Sequence, residues 1–250
     1  MIAENTSLDK LGLNYLTRLA QIYLLSEKLN KYIYDEKEYL ERNIKRLNSK
    51  SIISNYSFQS VIRKYNKMTP SLLIEIKKNK PEEYQKIYKH VSLLYMKSRD
   101  EELLSLTEET FPSITWSSLF ISTISYFEHC LIDTSEHLSK VTNIKLKLID
   151  MSGGGVYEKF KNYCSKVVGL KYNFASKQWD NIINHYNVRN IVVHNNGYLD
   201  NSKKQKIENF IKKGKTSLLL KDSTIIIDKK YLDEVIFDIQ DWIENFFKKS

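Results

Sequence analysis

The sequence predicts a mainly α protein: a helical bundle with a small β-hairpin insert near the C-terminus, preceded by an N-terminal region of long helices. Three observations carry this. Only seven glycines and three prolines interrupt 250 residues, so few points force the chain to turn. Apolar residues recur at three- and four-residue spacing over most of the chain, the period of a helix with one buried face. Two short apolar runs that flank Lys221-Asp222-Ser223 depart from that period.

Taken in order, Leu8, Leu11, Tyr15, Leu19, Ile22, Leu29 and Ile33 follow helical spacing, and Tyr39, Leu40, Ile44 and Leu47 continue it. A helical pair or one long bent helix is expected. Residues 51–66 form a weaker helical pattern. Pro70 and Pro81 each suit a first helical turn, and 82–109 reads as a further long helix with a polar face. No chemistry beyond charge stands out in this half.

Pro112 marks the expected boundary. It leaves 1–111 as an N-terminal helical region, with regulation or extension of a dimer as its candidate roles, and 112–250 as a second bundle. The helix after Pro112 turns aromatic, with a stripe of Trp116, Phe120, Ile124, Glu128, Leu131 and Leu138. Glu128 thereby falls on a buried face. A buried carboxylate without a partner costs several kcal/mol, so a cation or hydrogen-bond donor should meet it.

Ser152-Gly153-Gly154-Gly155 reads as a loop between helices; it lacks the lysine and Ser/Thr of a phosphate loop and follows no strand. Tyr157, Phe160, Cys164 and Val167 suggest a short helix. The helix over 176–194 has a stripe of Trp179, Ile182/Ile183, Tyr186 and Val193, with Arg189 in the vacant rung and so directed at packing partners. Asn195-Asn196-Gly197 supplies left-handed residues that end a helix, which puts His194 in the last turn. Residues 216–220 and 224–228 flank Lys221-Asp222-Ser223 as a hairpin. Asp228 caps a final helix with a stripe of Leu232, Val235/Ile236, Ile239, Trp242/Ile243 and Phe246.

The net charge of +9 favours an acidic partner such as nucleic acid. Most lysines over 37–50 and 77–89 nevertheless alternate with glutamates and read as solvated helix faces. Cys130 and Cys164 lie in amphipathic patterns and are expected to be reduced core thiols of a cytoplasmic protein. No run approaches the roughly 20 apolar residues of a membrane span, and the N-terminus lacks the layout of a secretory signal. His129 and His137 are separated by roughly 12 Å along a helix at about 1.5 Å per residue, too far to share one ion. No metal or cofactor is therefore expected, and His185 is expected at the surface. A Ser/His/Asp triad, a cysteine nucleophile and a dinucleotide-binding glycine fingerprint are all absent from the sequence.

The chemistry concentrates in Arg189-Asn190-Ile191-Val192-Val193-His194-Asn195-Asn196-Gly197. Cleaving RNA without a metal requires that a 2′-hydroxyl lose a proton as it attacks phosphorus. The 5′-oxygen must gain a proton, and charge on the phosphoryl oxygens must be held. Histidine can move the protons near neutral pH, and arginine can grip two phosphate oxygens. Arg189 and His194 match those needs. Positions five apart on a straight helix are about 140° apart, so the two converge only if the helix bends or a second copy contributes across a dimer.

With this motif the segment from about Ser113 to Ser250 resembles the HEPN superfamily. Its signature is an arginine, a polar residue and, after a short spacer, a histidine near a helix end. Glu128 matches the acidic residue that members often place on an earlier core helix. The resemblance implies a bundle that dimerises with its motifs facing each other, and a metal-independent endoribonuclease that leaves a 2′,3′-cyclic phosphate. It implies proton transfer by His194, phosphate binding by Arg189, a supporting hydrogen bond from Asn190 and orientation of Arg189 by Glu128. Many members act as toxins or in antiviral defence by cutting tRNA or other RNA, mRNA being a further candidate here, under a regulatory or antitoxin partner. Some members have lost activity and serve as scaffolds. The alternative reading from the residues is a non-catalytic helical interaction or RNA-binding module, with Arg189 and Glu128 as a structural ion pair.

Overall fold

The computed structural model describes residues 2–49, 70–214 and 216–249. They form a mainly α protein with a two-stranded antiparallel hairpin near the C-terminus, as the spacing predicts. Among them no helix is long and apolar enough to cross a membrane. Contacts divide the chain into two units, Met1–Leu29 with Ser113–Ser250, and Asn30–Pro112. This differs from a 1–111 and 112–250 partition, because the first residues of helix α1 (Ile2–Asn48) pack into the later bundle. At Gly12 a Cβ would lie 2.9 Å from the Phe247 ring, so only glycine permits that approach. Tyr15 then meets Tyr126 and Phe247 edge-on, at 6.4 and 6.0 Å between ring centres. Lys229 bonds Glu27 at 2.5 Å.

The smaller unit contains the rest of α1, α2 (Pro70–Asn79) and α3 (Pro81–Ser105), with Pro81 in the first turn of α3. Leu40, Leu47 and Leu94 are buried, and Lys37 pairs with Glu108 at 2.9 Å. The helix expected over 51–66 lies outside the described residues.

The helix expected over 82–109 passes at Ser105 into a π turn, Leu106–Thr110, and from there without a loop into α4 (Phe111–Val141). The Phe111 N–H donates to the Leu106 carbonyl, one residue further back than in an α-helix. That wider turn accommodates Pro112, which has no N–H to donate and whose ring would crowd the carbonyl four residues earlier. Pro112 therefore lies within a helix and not in a linker.

The larger unit contains α4, α5 (Val156–Asn162) with the π turn Tyr163–Val168, α6 (Lys177–Asn195), α7 (Asn201–Gly214), the hairpin and α8 (Lys229–Lys249). Its core centres on Trp242 of α8. That ring packs edge-on against Phe127 of α4 at 5.2 Å, tilted against Trp179 of α6 at 5.3 Å, and stacked on Phe246 at 4.8 Å. Phe160 of α5 closes the cluster at 6.0 Å. Full burial of such side chains stabilises by roughly 1.5–3 kcal/mol each.

Asp228 caps α8 as expected, its Oδ1 accepting the Tyr231 N–H at 2.8 Å. The hairpin strands are shorter than the sequence suggests, β1 (Leu219–Lys221) and β2 (Thr224–Ile226), with Leu220 opposite Ile225. Asp222 and Ser223 turn between them with φ of 49° and 64°, the left-handed pair of a two-residue hairpin turn. Cys130 and Cys164 are free and buried; burial pushes the Cys130 thiol up to about 12 and the Cys164 thiol further in the same direction. Free and buried, both fit the core thiols expected from the sequence.

Candidate functional site

Helix α6 starts where Ser176 Oγ accepts the Trp179 N–H at 3.3 Å. It buries Trp179, Ile182, His185, Val188 and Ile191. This stripe is rotated from the expected one: Val193 is 40% exposed, and Arg189 sits at the border of the buried face instead of in a vacant rung.

The helix ends as expected, with Asn196 and Gly197 left-handed at φ of 50° and 79°. Gly197 is fixed by more than its φ, because a Cβ there would lie 3.1 Å from the Ile225 carbonyl oxygen. The Ile225 N–H in turn donates to the Gly197 carbonyl at 2.9 Å. The hairpin thus clamps the chain three residues after His194.

Arg189 points toward α4. Its Nη2 donates to Ser125 Oγ at 3.3 Å and its Nη1 to Asn190 Oδ1 at 3.0 Å. Glu128 Oε2 is 4.0 Å from Nη2, and both side chains keep about a fifth of their surface exposed, 21% and 19%. Glu128 is therefore at the edge of the buried stripe, with Phe127 occupying the fully buried position. The separation matters, because a structural arginine–carboxylate pair is bidentate at roughly 2.7–2.9 Å. Nε of Arg189 is buried without a hydrogen-bond partner among the described residues.

Burial holds the Glu128 carboxyl above the usual carboxylate range; Arg189 and the neighbouring His129 pull it down and do not prevail. A carboxyl raised in the folded state binds its proton more tightly there than in the unfolded chain. Its stabilisation is therefore complete below the unfolded value, near 4.3, and is lost as pH rises through the folded value. Glu128→Gln removes that dependence. Thermal melts should show the Tm of the variant, relative to the natural chain, rising between about pH 4 and about pH 7. A difference that shrinks over that range would contradict the assignment.

His194 is exposed in the last turn and lines a groove of 720 Å³ between α6 and α7, whose lining does not include Arg189. The sequence reading missed the second wall of this groove. Helix α7 begins where Asp200 Oδ1 accepts the Lys203 N–H at 2.9 Å, and it buries Ile207 and Phe210 while directing Lys203 and Lys206 at the groove. Asp200 followed by apolar residues at Ile207, Phe210 and Ile211 was the available signal. Across from the lysines, Asn184, Asn187 and Asn190 of α6 line the other side. The Asn195 carboxamide, turned to satisfy both neighbours, accepts from Lys203 Nζ at 3.0 Å and donates to the His194 carbonyl at 3.1 Å.

Of the four residues singled out in the sequence, Arg189, Asn190 and Glu128 thus lie together, and Asn190 and His194 share the groove. Arg189 is bonded toward α4 and is not among the residues that line the groove with His194, in keeping with the roughly 140° between their positions.

His185 is fully buried, contrary to the surface position expected for it. Its Nδ1 lies 2.9 Å from the Tyr231 hydroxyl and its Nε2 2.9 Å from Asp238 Oδ2. A carboxylate can only accept, so Nε2 carries the proton shared with Asp238, while Nδ1 shares the second hydrogen bond with the Tyr231 hydroxyl. Asn181 Nδ2 also donates to Asp238, at 3.3 Å. His185, Glu234 and Asp238 bring donor atoms within 4.8 Å of one another, the one group among the described residues with cation-binding spacing. Glu234 already accepts from the Ser217 N–H and hydroxyl at 2.6 and 2.7 Å. The cluster is hydrogen-bonded throughout and joins α6 to α8. His129 is exposed and His137 half-buried, and neither belongs to such a group.

Comparison with protein-family models, with curated proteins and with solved structures returns no match for this chain.

Proposed function

We propose that this protein is an endoribonuclease that cleaves RNA without a metal, by attack of the 2′-hydroxyl on the adjacent phosphorus, at a site completed by two copies of the chain. The new bond joins O2′ to phosphorus as the bond from phosphorus to O5′ breaks. His194 serves the proton transfers between O2′ and O5′, and Arg189 holds the phosphoryl oxygens. Asn190 positions the guanidinium through its 3.0 Å bond, with Glu128 behind it.

The observation that carries this reading is the unsaturated state of Arg189. Its guanidinium is held in place by neutral partners, Ser125 and Asn190, while the carboxylate stands back at 4.0 Å. Such a cation keeps its capacity for a phosphate. His194 is exposed, about 140° further round the same helix, and a two-fold pairing of α6 ends supplies it with the arginine of a second copy. The resemblance to the HEPN superfamily adds the biological setting: a toxin or antiviral defence system, with a homodimer as functional unit and a regulatory or antitoxin partner restraining it.

The test is to incubate the purified protein with total RNA in the presence of chelator and to map the ends. Cleavage that persists and leaves 2′,3′-cyclic phosphates is expected. No cleavage, or cleavage abolished by chelator, would count against the proposal. A second reading, the non-catalytic helical module, draws on the bonds from Arg189 to Ser125 and Asn190 and on Glu128 at 4.0 Å, which suit a cation that ties α6 to α4. It expects Arg189→Ala to lower stability with no effect on RNA.

A further inference from the structure

We infer that the groove between α6 and α7 is a nucleotide subsite. It takes one nucleotide of the RNA beside the cleaved bond, with Asn184 and Asn187 against the base edge and Lys206 on a phosphate. The inference rests on the ribonuclease reading for its substrate, but the groove's own chemistry supports it.

The volume of 720 Å³ lies within the roughly 300–1,000 Å³ of small-ligand sites. The accessible lining is mostly apolar, with asparagines, lysines and His194 set around it and no carboxylate in it, although Lys203 is paired with Asp200 at 3.5 Å; such a lining suits the flat face of a base beside an anion. The asparagines are not equivalent. Asn181 is engaged by Asp238 and Asn190 by Arg189. Asn184 and Asn187 have no side-chain hydrogen bond to any described residue, yet line the groove one turn apart. A free carboxamide presents a donor and an acceptor side by side, which is what the edge of a base can pair with.

Position agrees with this. Asn187 precedes His194 by seven residues, about 10 Å along the helix axis, so a base held there adjoins the phosphate that His194 serves.

The experiment measures binding of short fluorescent 2′-O-methyl oligonucleotides, one homopolymer for each base, which cannot be cleaved because the attacking hydroxyl is blocked. The natural chain should prefer some bases over others. Asn187→Ala, an exposed position, should weaken the preferred oligonucleotide about tenfold and flatten the preference, the loss of about one good hydrogen bond. Asn184→Ala should act in the same way. Lys206→Glu should weaken all four about equally and reduce the salt dependence, as loss of a phosphate contact does. Circular dichroism confirms that each variant is folded.

Unchanged affinity and preference in all three variants would overturn the inference. So would sedimentation showing that they disrupt self-association while nucleic-acid binding persists, which would make the groove a protein interface. Binding that follows the predicted pattern in a protein that fails to cleave RNA would remove the ribonuclease reading and leave the subsite. Cleavage with binding indifferent to the groove would do the reverse.

Discussion

His194→Ala is expected to slow RNA cleavage by roughly 10²–10⁴-fold, the usual contribution of a positioned general acid or base. The side chain is exposed at the end of α6, so its loss should change stability by no more than about 0.5 kcal/mol. The combination is informative, because a large kinetic loss without a structural loss identifies a residue that acts on substrate. Oligonucleotide affinity should survive, since Asn184, Asn187 and Lys206 remain. Single-turnover cleavage kinetics beside thermal melts checks this. An active His194→Ala protein would remove His194 from the chemistry.

The second large effect concerns stability. His185→Ala should cost roughly 3–5 kcal/mol, combining a buried cavity with the orphaned hydroxyl of Tyr231. The ring is wholly enclosed, packed edge-on against Phe210 at 5.7 Å and Tyr231 at 5.4 Å. Tyr231 cannot turn to water for a replacement partner, since it is itself fully buried and burial holds its phenol well above the usual range. Tyr231→Phe should cost less, about 1–3 kcal/mol, because only a polar partner is lost. Chemical denaturation of the three proteins checks the order. A His185→Ala loss below about 1 kcal/mol would mean that the cluster does not tie α6 to α8.

Much of this architecture can be read from the residues in order. Ser176, Asp228 and the Asn196-Gly197 pair act locally, through caps and left-handed turns, so their positions specify helix ends without reference to the rest of the chain. The long apolar stripes of α4 and α8 were legible for the same reason. The phase of α6 was not. His185 counts as polar in any hydropathy pattern, and that moved the apparent stripe onto Tyr186, Arg189 and Val193. What buries His185 is a hydroxyl 46 residues away and a carboxylate 53 residues away, and spacing along one helix carries no trace of either. Helix α7 was hidden by its lysines, which mask a short apolar face of Ile207 and Phe210. With it were hidden the second wall of the groove and the role of the asparagines. The Arg189 environment was half legible: Glu128 was expected nearby, but Ser125 as the bonded partner depends on side-chain reach across α4.

The claim that the site belongs to a pair of chains has one direct measurement. Arg189→Ala and His194→Ala proteins, each inactive alone, are mixed, allowed to exchange subunits and assayed on RNA. If each site combines the arginine of one copy with the histidine of the other, mixed dimers hold one intact site and one doubly defective site. Random exchange makes about half the dimers mixed, so about a quarter of the natural activity should return. A mixture that stays inactive after subunit exchange has been verified would contradict the composite site and place both residues in a single chain's chemistry.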